Sequence, residues 1–122
     1  MKRILTFICI IVLSNVAFSQ EKDSDNDRAY FVALYTVGES WDAEKPPQEQ
    51  AYFKEHSAHL SDLRKASKIV LGARYSDTGI IILKVKDEAE AQELINSDTA
   101  IQNKLFQVQI FPYYPFYKGC VE

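Results

Sequence analysis

Residues 69–85, IVLGARYSDTGIIILKV, decide the fold. Two runs rich in β-branched residues, 69–75 and 80–85, are joined by Ser76-Asp77-Thr78-Gly79, whose backbone preferences suit a hairpin turn. The two runs are therefore read as antiparallel neighbours. Upstream, Tyr30–Val37 (YFVALYTV) is aromatic and β-branched and reads as a strand ended by Gly38. A loop carrying Trp41 follows, and Pro46-Pro47 prepares a helix over about Gln48–Ala66, because proline suits a first helical turn. Downstream, Asp87 and Glu90 have the spacing of a capping box, with Ala91, Leu94 and Ile95 forming the apolar side of a short helix that ends at Asn96–Asp98. A further helical turn covers Thr99–Asn103, Leu105–Phe111 alternates as a fourth strand, and Pro112 and Pro115 impose an irregular tail.

The order strand, helix, strand, strand, helix, strand is the ferredoxin-like α+β plan, βαββαβ, with an antiparallel four-stranded sheet and two helices on one of its faces. The second face of such a sheet is expected to be polar. Here both alternating sets of the first strand are apolar, and residues 80–83 are apolar without interruption. A second copy packing sheet to sheet relieves this, so a homodimer in the manner of a dimeric α+β barrel is expected. The alternative is that the tail, Tyr113–Tyr117, folds back over the exposed face.

The chain opens with the pattern of an export signal. Lys2 and Arg3 precede an apolar run of about ten residues, too short to cross roughly 30 Å of hydrocarbon, and Ala17-Phe18-Ser19 offers small residues where a signal peptidase reads. Residues 1–20 are read as a removable signal peptide, 21–28 (EKDSDNDR) as a charged flexible leader, and 29–122 as one α+β domain. A secreted or periplasmic protein of bacterial type follows, with no membrane association after processing. Removing residues 1–20 from 122 leaves 102, and the loss of Lys2 and Arg3 from 14 basic residues leaves 12 against 17 acidic ones, a formal net charge of −5. That balance argues against a nucleic-acid partner, which requires clustered positive charge. Only Cys120 of the two cysteines survives processing, so no disulfide forms within one chain.

At 100° per residue, the first helix places Tyr52, Phe53, His56, Leu60 and Leu63 on one stripe, with His59 at its edge. Two readings of His56 stand side by side. One is a core histidine with a single hydrogen bond; the other is an imidazole facing a pocket, a usable acid or base near neutrality. His56 and His59 lack a third ligand at a recognised spacing, so neither a metal nor another cofactor is expected. No serine elbow, glycine-rich phosphate loop or CxxC pair occurs.

His56 with Leu60 and Leu63 behind it, Gly72 in the next strand, Ala89-Glu90-Ala91 in the second helix, Asp98 after it and a closing strand ending in Pro112 occur in an order that resembles the YCII-related (YciI-like) family of small dimeric α+β barrel proteins. In that family a histidine of the first helix and an aspartate just after the second helix form the dyad of a proposed active site. The resemblance carries those roles onto His56 and Asp98. The chain departs from the family in having Asp98-Thr99 for Asp-Pro, Gly72-Ala73 for Gly-Pro, and Lys104 near a family glycine. Asp98 also suits the cap of the turn that follows, a role compatible with orienting a histidine. Gly72 suits either a bulge or close backbone approach within a strand or contact with substrate, and Arg74, on the same face, either a solvated strand end or salt bridge or an anionic substrate group. Trp41 is placed either as a pocket wall or as simple loop packing.

Two functions follow. The first is a cofactor-independent enzyme that moves a proton on a small molecule, as a lyase, isomerase or dehydrochlorinase-like catalyst, with His56 and Asp98 catalytic and Arg74, Trp41 and Gly72 in contact with substrate. The second is a non-catalytic module of the same fold that binds a small ligand or joins an assembly.

Overall fold

The computed structural model describes residues 27–119; the segment read as a signal (1–20), most of the segment read as a leader (21–26) and Cys120 lie outside them. Strand β1 (Ala29–Val37) leads through a 3-10 turn (Pro47–Glu49) to helix α1 (Phe53–Lys65), then to β2 (Ile69–Tyr75), β3 (Thr78–Val85), α2 (Glu88–Asn96), α3 (Thr99–Gln102) and β4 (Phe106–Pro112). The strands form one antiparallel sheet in the order β2-β3-β1-β4. The result is an α+β fold with a four-stranded antiparallel sheet and three helices, compatible with the ferredoxin-like plan. Among the described residues no helix is long and apolar enough to cross a membrane.

Strand periodicity assigns the two faces. Phe31, Ala33 and Tyr35 of β1 point to the helices and are buried with Leu83 and Val85 of β3 and with Ala91 and Ile95 of α2. Ile81, Val108 and Ile110 pack against this core from the same face.

Three local expectations are corrected. The first helix does not begin at Gln48: after the 3-10 turn, Tyr52 takes a left-handed conformation (φ 65°), and α1 starts at Phe53. Tyr52 is thereby removed from the helical stripe and left exposed. The hairpin turn is shorter than expected, with Tyr75 paired to Thr78 around Ser76 (φ 51°) and Asp77, so Gly79 belongs to the strand. The irregularity in β2 falls between Ile69 and Leu71 and not at Gly72. The tail leaves the sheet after the Tyr113 N–H donates to the Tyr30 carbonyl at 2.9 Å, and Tyr114, Phe116 and Tyr117 are 83–90% exposed. It does not cover the outer face.

The start of α2 shows how local sequence is tied to tertiary structure. Asp87 accepts from the Glu90 N–H at 2.8 Å. Glu90 reaches one residue further back than a reciprocal capping box, accepting from the Lys86 N–H at 2.7 Å, and its second interaction is with Lys68 Nζ at 2.5 Å, at the entrance to β2. The Lys68 hydrogen bond, and after it the Lys86 N–H, hold the Glu90 carboxyl below its ordinary value of 4.5. A lowered folded-state value means that this stabilisation is present above the ordinary carboxylate range and is lost as pH falls through the lowered value. Glu90→Gln is therefore expected to cost about 1 kcal/mol at neutral pH, with the gap to the parent closing in acid, as measured by urea unfolding across a pH series. A gap that persists unchanged in acid would contradict the assignment.

Candidate active site

Asp98 is the second residue of the two-residue joint, Ser97-Asp98, between α2 and α3. Its extended backbone (φ −69°, ψ 124°) ends one helix and opens the next, and its Oδ1 accepts from the Ala100 N–H at 2.9 Å as an N-cap. Its Oδ2 lies 2.5 Å from Nδ1 of His56. The carboxylate is fully buried, so both hydrogen bonds replace water that it has lost. Since the carboxylate only accepts, Nδ1–H donates, which fixes the neutral imidazole as the Nδ1–H tautomer and leaves the lone pair on Nε2. Nε2 has no protein partner among the described residues.

Rings surround the imidazole. The Phe106 centroid is 4.7 Å from that of His56, Tyr35 stands edge-on at 5.5 Å, and Phe53 lies at 6.3 Å. His56, itself 9% exposed, lines a cavity of about 430 Å³ between α1 and the sheet, a size in the range of small-molecule sites. Trp41, Leu60 and Ile81 complete its apolar wall, and Arg74 and Asp77 bring charge to it. Arg74 has no ion-pair or hydrogen-bond partner among the described residues. Trp41 is held in place by the loop that carries it. The Gly38 N–H donates to the Leu105 carbonyl at 2.8 Å, and a Cβ at Gly38 would sit 2.1 Å from the Lys104 carbonyl oxygen, so only glycine permits the approach. Further along, the buried Gln50 side chain accepts from the Asp42 N–H and donates to the Asp42 and Lys45 carbonyls. The Trp41 ring then rests 5.7 Å from Phe106.

Of the residues singled out from sequence, His56, Arg74 and Trp41 line this cavity, and Asp98 stands behind His56. Gly72 does not line it. It opens onto a shallower neighbouring groove with Leu60, Arg64 and Ile69, and a Cβ there would meet only the Ile81 Cδ1 at 3.4 Å. His59 is turned away from His56, donating to the Leu94 carbonyl at 2.8 Å and so linking α1 to α2. Among the described residues no group of three His, Cys, Asp or Glu side chains is placed to hold a metal ion.

Among the cavity residues that the sequence reading does not assign to the site are Tyr35, Gly79 and Phe106. All three lie on strands, and their proximity depends on register, which a linear pattern does not disclose. Tyr35 is 5% exposed, and its hydroxyl has no hydrogen-bond partner among the described residues. Burial, reinforced by the negative charge of Asp98, pushes the phenol well above its ordinary value of 10.0, so it remains a donor.

No family model, curated protein or solved structure matches this chain.

Asp98→Asn separates the two duties of the carboxylate. The amide oxygen still caps α3 while the amide N–H2 is presented to Nδ1, so His56 is expected to move its proton to Nε2, with a loss of about 2 kcal/mol in stability. Long-range ¹H–¹⁵N correlation of the imidazole reads the tautomer directly. Retention of the Nδ1–H form in this variant would contradict the assignment.

Proposed function

We propose that this protein transfers a proton on a small organic molecule without a cofactor, with His56 Nε2 as the base and Asp98 as the group that orients it. The observation that carries this reading is the 2.5 Å contact between a fully buried carboxylate and the inner nitrogen of a histidine whose ring lines a cavity. A histidine kept only for packing needs one hydrogen bond of any kind. Here the bond fixes the tautomer that leaves the lone pair on Nε2, the ring nitrogen without a partner among the described residues. Apolar walls limit the hydration of that nitrogen and of any bound molecule, and Arg74 supplies an unpaired cation for an anionic group.

The same reading places the chain with the YCII-related family. Its support is the order of His56, Gly72, Glu90 and Asp98, and the meeting of His56 with Asp98. Lys104, near the family's glycine, takes φ 59°, a conformation that favours glycine. Export of the protein rests on the signal-like residues 1–20.

We propose further that two copies pack sheet to sheet as a dimeric α+β barrel. Tyr30, Val32 and Leu34 of β1 and Ile80 of β3 lie on the face away from the helices, and Leu71, Tyr75 and Phe111 extend that face with 40–55% exposure. The tail does not cover it. A face this apolar on an isolated domain is the kind of surface that associates.

Proton transfer is tested by following loss of ¹H signal, in D2O, at carbons adjacent to the carbonyl of small cyclic ketones and keto acids. Exchange above the uncatalysed background is expected with the parent protein. It should drop at least about 100-fold in His56→Asn, whose amide preserves a donor to Asp98, while the circular dichroism spectrum is retained. Unchanged exchange in that variant would leave His56 a packing residue and favour the binding-module reading. For the dimer, sedimentation velocity should give a two-chain species that Leu71→Glu weakens at least tenfold; a parent protein that stays monomeric at high concentration would sink this part.

A further inference from the structure

Sheet register assembles a row that no local motif announces. Arg74 of β2 pairs with Gly79 of β3, and Gly79 pairs with Tyr35 of β1, so all three project toward the helices along one line. Neighbouring strands lie about 4.8 Å apart, which sets the Cα atoms of Arg74 and Tyr35 about 10 Å from each other. The residue between them has no side chain. A Cβ at Gly79 would meet the Tyr35 Cβ at 3.5 Å, and anything larger would rise into the cavity that all three residues line. On one side of this gap stands Arg74, exposed and without a partner among the described residues, and on the other the Tyr35 ring, whose buried hydroxyl has no acceptor among them. A buried hydroxyl left in this state is destabilising, so a ligand oxygen that accepts from it gains an interaction that the folded chain does not supply. Asp77, also at the cavity wall, disfavours a second anionic group nearby.

We propose that Arg74, Gly79 and Tyr35 form the substrate-binding floor, and that it takes a small cyclic monocarboxylate carrying a carbonyl oxygen. The guanidinium holds the carboxylate, the ring lies over Gly79, and the Tyr35 hydroxyl donates to the carbonyl oxygen. This deepens, and rests on, the reading of His56 as the proton-transfer residue. In the step it implies, His56 Nε2 takes a proton from the carbon beside the carbonyl. The bonding pair moves into the ring as the carbonyl becomes an enolate, whose oxygen keeps its hydrogen bond to Tyr35, and return of a proton from the imidazole restores the ketone. Tyr35 then strengthens its hydrogen bond as charge develops on that oxygen.

The probes are 4-oxocyclohexanecarboxylate, cyclohexanecarboxylate and cyclohexanone, titrated into the full mature protein and followed by amide chemical shifts. The keto acid should bind about five- to tenfold more tightly than cyclohexanecarboxylate, the value of one additional hydrogen bond. Tyr35→Phe should erase that ratio and leave cyclohexanecarboxylate affinity unchanged, and Arg74→Gln should weaken both acids while leaving cyclohexanone unaffected. Because no group among the described residues accepts from the Tyr35 hydroxyl, the unfolding midpoint of Tyr35→Phe should equal or exceed that of the parent; a clear drop would assign the hydroxyl to the fold and overturn the proposal. Failure of the folded protein to bind either acid, or a ratio indifferent to Tyr35, also overturns it. Deuterium exchange in the same samples separates the two readings. The expected binding pattern without exchange removes the proton-transfer role of His56 and leaves the floor standing, whereas exchange without the binding pattern does the reverse.

Discussion

The site depends on one buried carboxylate that serves two elements. Asp98 Oδ1 begins α3 and Oδ2 holds His56, so the joint between α2 and α3 and the orientation of a side chain on α1 are set by the same group. Burying a carboxylate is expensive unless its lone pairs are met by donors. The Ala100 N–H and the His56 Nδ1–H meet them from two directions, and neither donor is free to leave without exposing the other to the uncompensated charge. The dyad is thus rigid for reasons of folding. Any chemistry at Nε2 then works from a nitrogen whose position and tautomer are already fixed.

Around this pair the surroundings are almost entirely aromatic. Phe106, at the start of β4, touches His56, Tyr35, Phe53 and Trp41, and so joins residues from both outer and central parts of the fold. Trp41 arrives there because Gly38 lets the chain press against the Lys104 carbonyl, and because Gln50 ties the loop ends to each other. Rigid rings limit rotamer freedom and keep the cavity open against collapse. The polar residues that line it are few: His56, its tautomer set by Asp98, with Tyr35, Thr36 and Ser57, and the opposite charges of Arg74 and Asp77.

Much of this was legible in the sequence, and the parts that were not share a cause. The β2–β3 hairpin, the helical stripe holding His56 and the capping position of Asp98 are all local patterns with periods or spacings of a few residues. The start of α1 was misread because Tyr52 adopts a left-handed conformation that a tyrosine does not announce, interrupting a segment that propensity alone would continue. Ser76-Asp77-Thr78-Gly79 reads as a turn throughout on chemistry alone; the turn closes two residues earlier, and the glycine serves the sheet. Gly72 attracted notice as the glycine inside a strand, yet the strand irregularity lies before it and the cavity beyond it. Tyr35 was visible only as one apolar residue among many in YFVALYTV. Its meaning lies in what stands two strands away.

That strand shows how one sequence pattern serves two surfaces. In β1, Phe31, Ala33 and Tyr35 face the helices, the first two closing the core and the third entering the cavity, while Tyr30, Val32 and Leu34 face the opposite way. An isolated α+β domain would tolerate polar residues on that second set at little cost. Keeping them apolar makes sense if the outer face is covered by a like surface. Tyr35 and Leu34 are adjacent in the chain and on opposite faces, so packing on the outside bears on the placement of the phenol inside through a single backbone segment. The outer face and the floor of the cavity thus share one inner strand, β1, whose two neighbours, β3 and β4, supply Gly79 and Phe106.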